Sequence, residues 1–138
     1  MSEGLIETVA AVIADPEGRV LLVRKRGSDT FIQPGGKREP GEDSLKTLER
    51  ELREEIGVRL VPGSASRLGE FEERAVHEPG MRVCAEAFVV RVEGRPAAAA
   101  EIAELVWIDP RDPGEVNVAP LSRLHILPAF LATSEDAA

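Results

Sequence analysis

Between Asp43 and Gly57 the chain repeats leucine and isoleucine at the spacing of one helix face, and no other segment limits the fold as strongly. Leu45, Leu48, Leu52 and Ile56 stand three or four residues apart, which gathers them on one side of an α-helix and turns that side toward a core. Asp43 or Ser44 suits an N-cap, and Gly57 stands where a C-terminal cap belongs. Glu51, Glu54 and Glu55 are also three and four apart, on a flank away from the apolar stripe. Like charges so placed repel by about 0.2–0.5 kcal/mol per pair. A helix needing only solubility gains by mixing lysine among them, so this face is expected to meet something positive.

The segments around this helix alternate as strands do. Leu5 to Ala14 is apolar and β-branched, Asp15-Pro16-Glu17-Gly18 supplies turn residues, and Arg19 to Arg26 alternates back, a pattern that predicts a hairpin. Thr30 to Gln33 reads as a short extended piece ending at Pro34, where Gly35 and Gly36 free the backbone for a close approach. Further strands are expected at Val58–Val61, Leu68–Val76, Arg82–Val92 and Glu104–Ile108, with Val83, Ala85, Ala87, Val89 and Arg91 on one side of the third. Pro120 to Thr133 suits a helix interrupted near Pro128, and Ser134 to Ala138 reads as a frayed tail.

A chain of 138 residues is the size of one domain, and 43% apolar against 30% charged residues is a globular balance. The opening Met1-Ser2-Glu3-Gly4 lacks the basic and apolar segments of a secretory leader, and no stretch is apolar enough to span a bilayer, so the cytoplasm is the expected compartment and no membrane is involved. One cysteine, Cys84, excludes an internal disulfide and a multi-cysteine zinc site, and its strand position predicts a small buried residue. A net charge of −8 argues against a nucleic-acid polymer as partner, because such binding draws on lysine and arginine set against phosphates. A small anionic ligand is compatible with that charge where a divalent cation reverses the sign of an acidic site.

Gly36, Glu42, the run Arg50-Glu51-Leu52, the pair Glu54-Glu55 and the pair Gly57-Val58 fall at fixed spacings across 23 residues. This segment resembles the Nudix box of the Nudix hydrolases, MutT-like members included, with every constrained position filled. The resemblance implies the family's fold, an α/β/α sandwich around a mixed β-sheet, as a single domain covering residues 1–138. It implies an enzyme that cleaves a diphosphate linkage in a nucleotide-like substrate: a nucleoside triphosphate, an oxidised nucleotide, a nucleotide sugar, ADP-ribose or a dinucleotide polyphosphate. By the same resemblance Glu51, Glu54 and Glu55, with the backbone carbonyl of Gly35, would bind Mg²⁺ or Mn²⁺, ions that favour oxygen ligands and neutralise phosphate charge. Arg50 would orient a carboxylate, Glu42 would support the loop and helix ahead of serving as a direct metal ligand, and Gly36 and Gly57 would shape the site. Which glutamate acts as base varies among relatives and stays open.

Relatives often recruit one further carboxylate before the last strand. Glu101 is the first choice here and Glu104 the alternative. Arg24, Lys25 and Arg26 end the second strand, where relatives place cations against phosphates, although alternation lets only some of the three face a cleft. Phe31 and Asn117 are the candidates for contacts to a base; an aromatic on a strand ordinarily packs in a core, and a loop asparagine near proline is ordinarily a turn residue. Trp107 reads as packing, and His77 and His125 as isolated surface or packing residues. The competing function is a silent Nudix domain that senses a nucleotide or binds a protein; such domains commonly lose box carboxylates, which are complete here. Diphosphate isomerisation on the same fold would ask for a catalytic cysteine and a longer chain. A homodimer is compatible with the sequence and not specified by it.

Overall fold

The computed structural model describes residues 4–136. The two opening runs become β1 (Gly4–Ile13) and β2 (Val20–Lys25), and the turn between them closes, with Asp15 N–H donating to the Arg19 carbonyl and Gly18 N–H to the Asp15 carbonyl, each at 2.9 Å. The expected hairpin goes no further. After one bridge between Ala14 and Val20 the strands part and enter different sheets. Val9 through Ile13 and Val20 through Val23 are all buried. Strands covered on both faces read as continuous apolar runs, and each of these two becomes a central strand with its own neighbours.

β3 (Phe31–Ile32) and β9 (Ile102–Ile108) flank β2 antiparallel on its two sides. β1 lies between β4 (Gly35–Gly36), antiparallel to it, and β7 (Met81–Val90), parallel to it from Gly4 opposite Met81 to Ile13 opposite Val90. β6 (Ser66–Arg74) pairs antiparallel with β7, completing a mixed sheet in the order β4-β1-β7-β6. β5 (Arg59–Leu60) and β8 (Val92–Glu93) form a short ladder of their own.

Side chains alternate across a strand, and here they feed two cores. Val9, Ala11, Ile13, Leu21 and Val23 pack with Leu48, Leu52 and Ile56 of the helix α1 (Ser44–Ile56). Ala10, Val12, Val20 and Leu22 pack on the other side with Ile126 and Leu127. This is the expected α/β/α sandwich. Ala85 and Ala87 share the second core as their common face requires, while Phe88 and Val90 fill the first, because β7 too is covered on both sides. Trp107 packs against the first core, as expected.

The Asp43 carboxylate caps α1 by accepting from Lys46 N–H at 2.9 Å, and Gly57 ends it at φ 70°. One residue of the expected stripe departs: Leu45 is 42% exposed. The buried face is centred on Leu48, Leu52 and Glu55, so a carboxylate occupies ground assigned to apolar residues. At the C-terminal end a π-helical turn, Leu121–Ile126, runs into α2 (Leu127–Asp136). Leu127 N–H reaches back to the Ser122 carbonyl. The wider turn sits just ahead of Pro128, which has no N–H to give, so the expected interruption is a change of pitch rather than a break. The helix extends through Asp136; Ala137–Ala138 and the opening Met1–Glu3 lie outside the described residues. Among the described residues no helix is long and apolar enough to cross a membrane.

Candidate active site

The site begins where two glycines bring backbone against helix. β4 pairs Gly36 with Val9 and Gly35 with Ala10. Gly35 has φ 146°, and a Cβ there would stand 2.0 Å from the Val9 carbonyl oxygen. A Cβ on Gly36 would stand 2.6 Å from the Glu51 carboxylate. A side chain at Gly35 would drive β4 off the β1 backbone, and one at Gly36 would displace the Glu51 carboxylate. Across this contact Gly35 N–H donates to Glu55 Oε1 at 3.1 Å. Glu55 is 8% exposed, not on an open helix face. Burial raises its carboxyl to about 8, and the neighbouring Glu51 adds to the rise, against the opposing pull of the Gly35 N–H and of Lys25.

Arg50 ties the preceding loop to the helix. Its Nε and Nη2 donate to the two Glu42 oxygens at 2.7 and 2.9 Å, Nη1 to Glu51 at 2.8 Å, and Nη2 also to the Lys37 carbonyl at 3.1 Å. Glu42 accepts in addition from Thr47 Oγ1 at 3.0 Å and from Glu39 N–H at 2.9 Å. The bidentate arginine and the loop N–H hold the Glu42 carboxyl down to about 2, and Glu42 pushes the Arg50 guanidinium above its ordinary value. Glu54 stands 3.4 Å from Arg50 with more than half of its side chain exposed.

These residues form one wall of a cleft of about 570 Å³, a size typical of small-molecule sites. Glu51, Glu54, Glu55, Gly35 and Gly36 face it together with Lys25, Lys37, Arg38, Arg74, His77 and Glu101. Its other wall is largely apolar, with Ile6, Val83, Ala85, Ala119, Leu121 and Ile126.

The family model for the NUDIX domain matches residues 4–130. The chain belongs to the Nudix family. It is 32% identical over 134 residues to the CTP pyrophosphohydrolase of Escherichia coli K12, an alignment covering 93% of each protein. It is 41% identical over 68 residues to the RNA pyrophosphohydrolase of Halorhodospira halophila, which covers 49% of this chain and 36% of that relative. Among solved structures, the solution structure of the E. coli ORF135 protein superposes with a TM-score of 0.76 at 31% identity, covering 96% of this chain and 92% of the other.

Within this Nudix domain the remaining candidates separate by strand parity. Lys25 shares the α1 side of β2 with Leu21 and Val23 and reaches the cleft. Arg24 faces the other way, with Nε 3.1 Å from Glu104 and Nη1 donating to the Ser28 carbonyl at 2.9 Å. Arg26 donates to the Ala100 carbonyl at 3.4 Å. The choice between the two extra carboxylates follows the same geometry, since Glu101 lines the cleft and Glu104 is engaged with Arg24. Phe31 packs against the second core, and Asn117 Nδ2 donates to the Asp29 carbonyl at 3.2 Å and to Thr30 Oγ1 at 3.3 Å. Neither is among the cleft-lining residues.

Two placements depart from the sequence reading. Cys84 is half-buried, not fully buried, with Sγ 3.7 Å from Glu70; its strand face is occupied by charged neighbours and not by a core. His77 lines the cleft, with Nε2 2.9 Å from Ser28 Oγ. Arg74 reaches it from the end of β6, and no local motif marks either residue. Lys37 and Arg38, which the sequence reading did not single out, line the cleft as well.

Among the described residues no three acidic, histidine or cysteine side chains converge as a preformed metal cage. Arg50 draws Glu51 and Glu54 toward itself, and Gly35 N–H holds Glu55. The donor chemistry nevertheless fits a hard divalent cation. The donors are carboxylate and carbonyl oxygens, and burial, with the neighbouring Glu51 adding to it, raises the Glu55 carboxyl to about 8.

Proposed function

We propose that this Nudix domain hydrolyses a diphosphate linkage in a small nucleotide of the cytoplasm, with Mg²⁺ or Mn²⁺ as cofactor. One observation carries the reading: Glu51, Glu54 and Glu55 line a single cleft beside the Gly35 backbone, with Lys25, Lys37, Arg38 and Arg74 around them. Glu51, Glu54, Glu55 and the Gly35 carbonyl would hold the cation, with Glu101 as a further carboxylate on the same cleft. When bound, such an ion neutralises diphosphate oxygens and makes a water nucleophilic at neutral pH.

The protein's own part is positioning. Arg50 anchors Glu51 and, through Glu42, keeps the loop from Lys37 to Gly41 against the helix. Glu55 is held at the cleft wall by Gly35 N–H. The lysine and arginine side chains offset phosphate charge where the net charge of the chain would repel it. Similarity to a CTP pyrophosphohydrolase along nearly the whole chain puts nucleoside triphosphates first among substrates, and similarity over half the chain to an RNA pyrophosphohydrolase puts RNA in the same panel.

The test is product analysis after incubation with Mg²⁺ or Mn²⁺ and a panel of nucleoside triphosphates, oxidised nucleotides, nucleotide sugars, ADP-ribose, dinucleotide polyphosphates and RNA. The expected outcome is metal-dependent cleavage of a small nucleotide, lowered by about a hundredfold or more in Glu54→Gln and Glu55→Gln while both variants stay folded. Turnover equal to that of the wild type in both variants would remove the metal assignment. Tight nucleotide binding with no cleavage across the panel would favour a sensor, and cleavage of RNA alone would overturn the small-nucleotide substrate.

A further inference from the structure

Gln33 lies between β3 and Pro34 with 6% of its surface exposed, on the wall of the cleft. Its Nε2 donates to the Ala11 carbonyl at 2.9 Å. That bond fixes the direction of the amide, because a carbonyl oxygen pairs with the nitrogen end and not the oxygen end. Oε1 is thereby turned from the β1 backbone, and among the described residues it is the buried side-chain polar atom without a hydrogen-bond partner. A buried acceptor left without a donor is costly, and native structures retain few of them.

The surroundings describe the missing donor. Alternation places Gln33 on the same strand face as Phe31, whose carbonyl accepts from Ala119 N–H at 2.9 Å. Ala119 and Ile126 line the cleft's apolar wall together with Ile6 and Ala85, and Ala85 shares the second core with Ile126. Two residues beyond Gln33, Gly35 holds Glu55 of the carboxylate wall. One short strand segment therefore carries a lone acceptor beside an apolar surface and, next to it, the groups suited to phosphate chemistry. An apolar slot with one directed polar atom is the chemistry that orients a flat heterocycle.

We propose that Gln33 reads the nucleobase, its Oε1 accepting a hydrogen bond from an exocyclic amine, so that amine-bearing bases are preferred over their keto counterparts. This rests on the nucleotide-hydrolase reading above and names the base class for the same cleft. A keto oxygen in that place would oppose acceptor to acceptor and leave both unpaired.

The experiment compares kcat/KM for CTP against UTP and for ATP against ITP, with the affinities of CMP and UMP measured by calorimetry. The wild-type protein is expected to favour the amine-bearing member of each pair by about tenfold or more. Gln33→Leu is expected to bring each ratio to within roughly twofold. A ratio near one in the wild type overturns the proposal even where the variant fails to fold. So does an unchanged ratio in a folded Gln33→Leu of lowered Tm, the signature of a side chain that only latches onto Ala11. CMP preferred over UMP with no hydrolysis of any nucleotide would sink the hydrolase reading alone; hydrolysis without base preference would sink the Gln33 assignment alone.

Discussion

At the scale of single residues, Glu55 and Glu42 show how one short helix sets two carboxylates to opposite protonation behaviour. Glu55, raised by burial from 4.5 to about 8, holds its proton more tightly folded than unfolded. Its contribution to stability is complete below 4.5 and is lost as pH rises through about 8. Glu42, lowered from 4.5 to about 2 by Arg50, contributes above 4.5 and loses that contribution as pH falls through about 2. The windows meet without overlapping. Thermal melts in chelator are therefore expected to show Tm falling between pH 5 and pH 8, with a flatter slope in Glu55→Gln. Added Mg²⁺ is expected to raise Tm most near pH 8, with release of a proton, since a carboxylate must be bare to ligate. Identical slopes for the wild type and Glu55→Gln would show that Glu55 is not the group that titrates.

At the scale of elements, α1 is held in place at both ends and by its buried face. Asp43→Ala removes the acceptor for Lys46 N–H and is expected to lower stability by about 1 kcal/mol. Its kcat should change little, because the carboxylate wall begins two turns further on. Denaturant unfolding with matched kinetics checks this, and a large fall in kcat at unchanged stability would mean that the cap orients the site directly. This helix was legible in the sequence because cap, stripe, carboxylates and terminal glycine all lie within 15 consecutive residues. The β1–β2 hairpin was misread for the converse reason: two apolar runs joined by a good turn look alike whether they pair or separate into different sheets. Parity decided what position alone left open, sending Lys25 to the cleft and Arg24 to Glu104. Gln33, Arg74 and His77 stayed hidden, because what they share is a cleft wall assembled from distant segments and not a spacing.

At the scale of the whole molecule, the sandwich works because its central strands are shared property of two cores, so neither helix can loosen without disturbing the sheet beneath the other. The cleft lies between those layers, with carboxylates supplied by α1 and apolar wall supplied by β1, β7 and the C-terminal turn. The carboxylates of α1 thus come from one short segment, whereas the proposed base slot draws on both halves of the chain, Gln33 and Ile6 with Ala85, Ala119 and Ile126. The parallel pairing of β1 with β7 carries this dependence furthest, since Gly4 finds Met81 and Ile13 finds Val90. On the ribosome β1 emerges early and has no parallel neighbour until residue 90 has cleared the exit tunnel, leaving an apolar strand edge open throughout that interval. Nascent chains arrested before that point should be captured by chaperones and cut readily by protease, whereas chains arrested after residue 130 has emerged should resist.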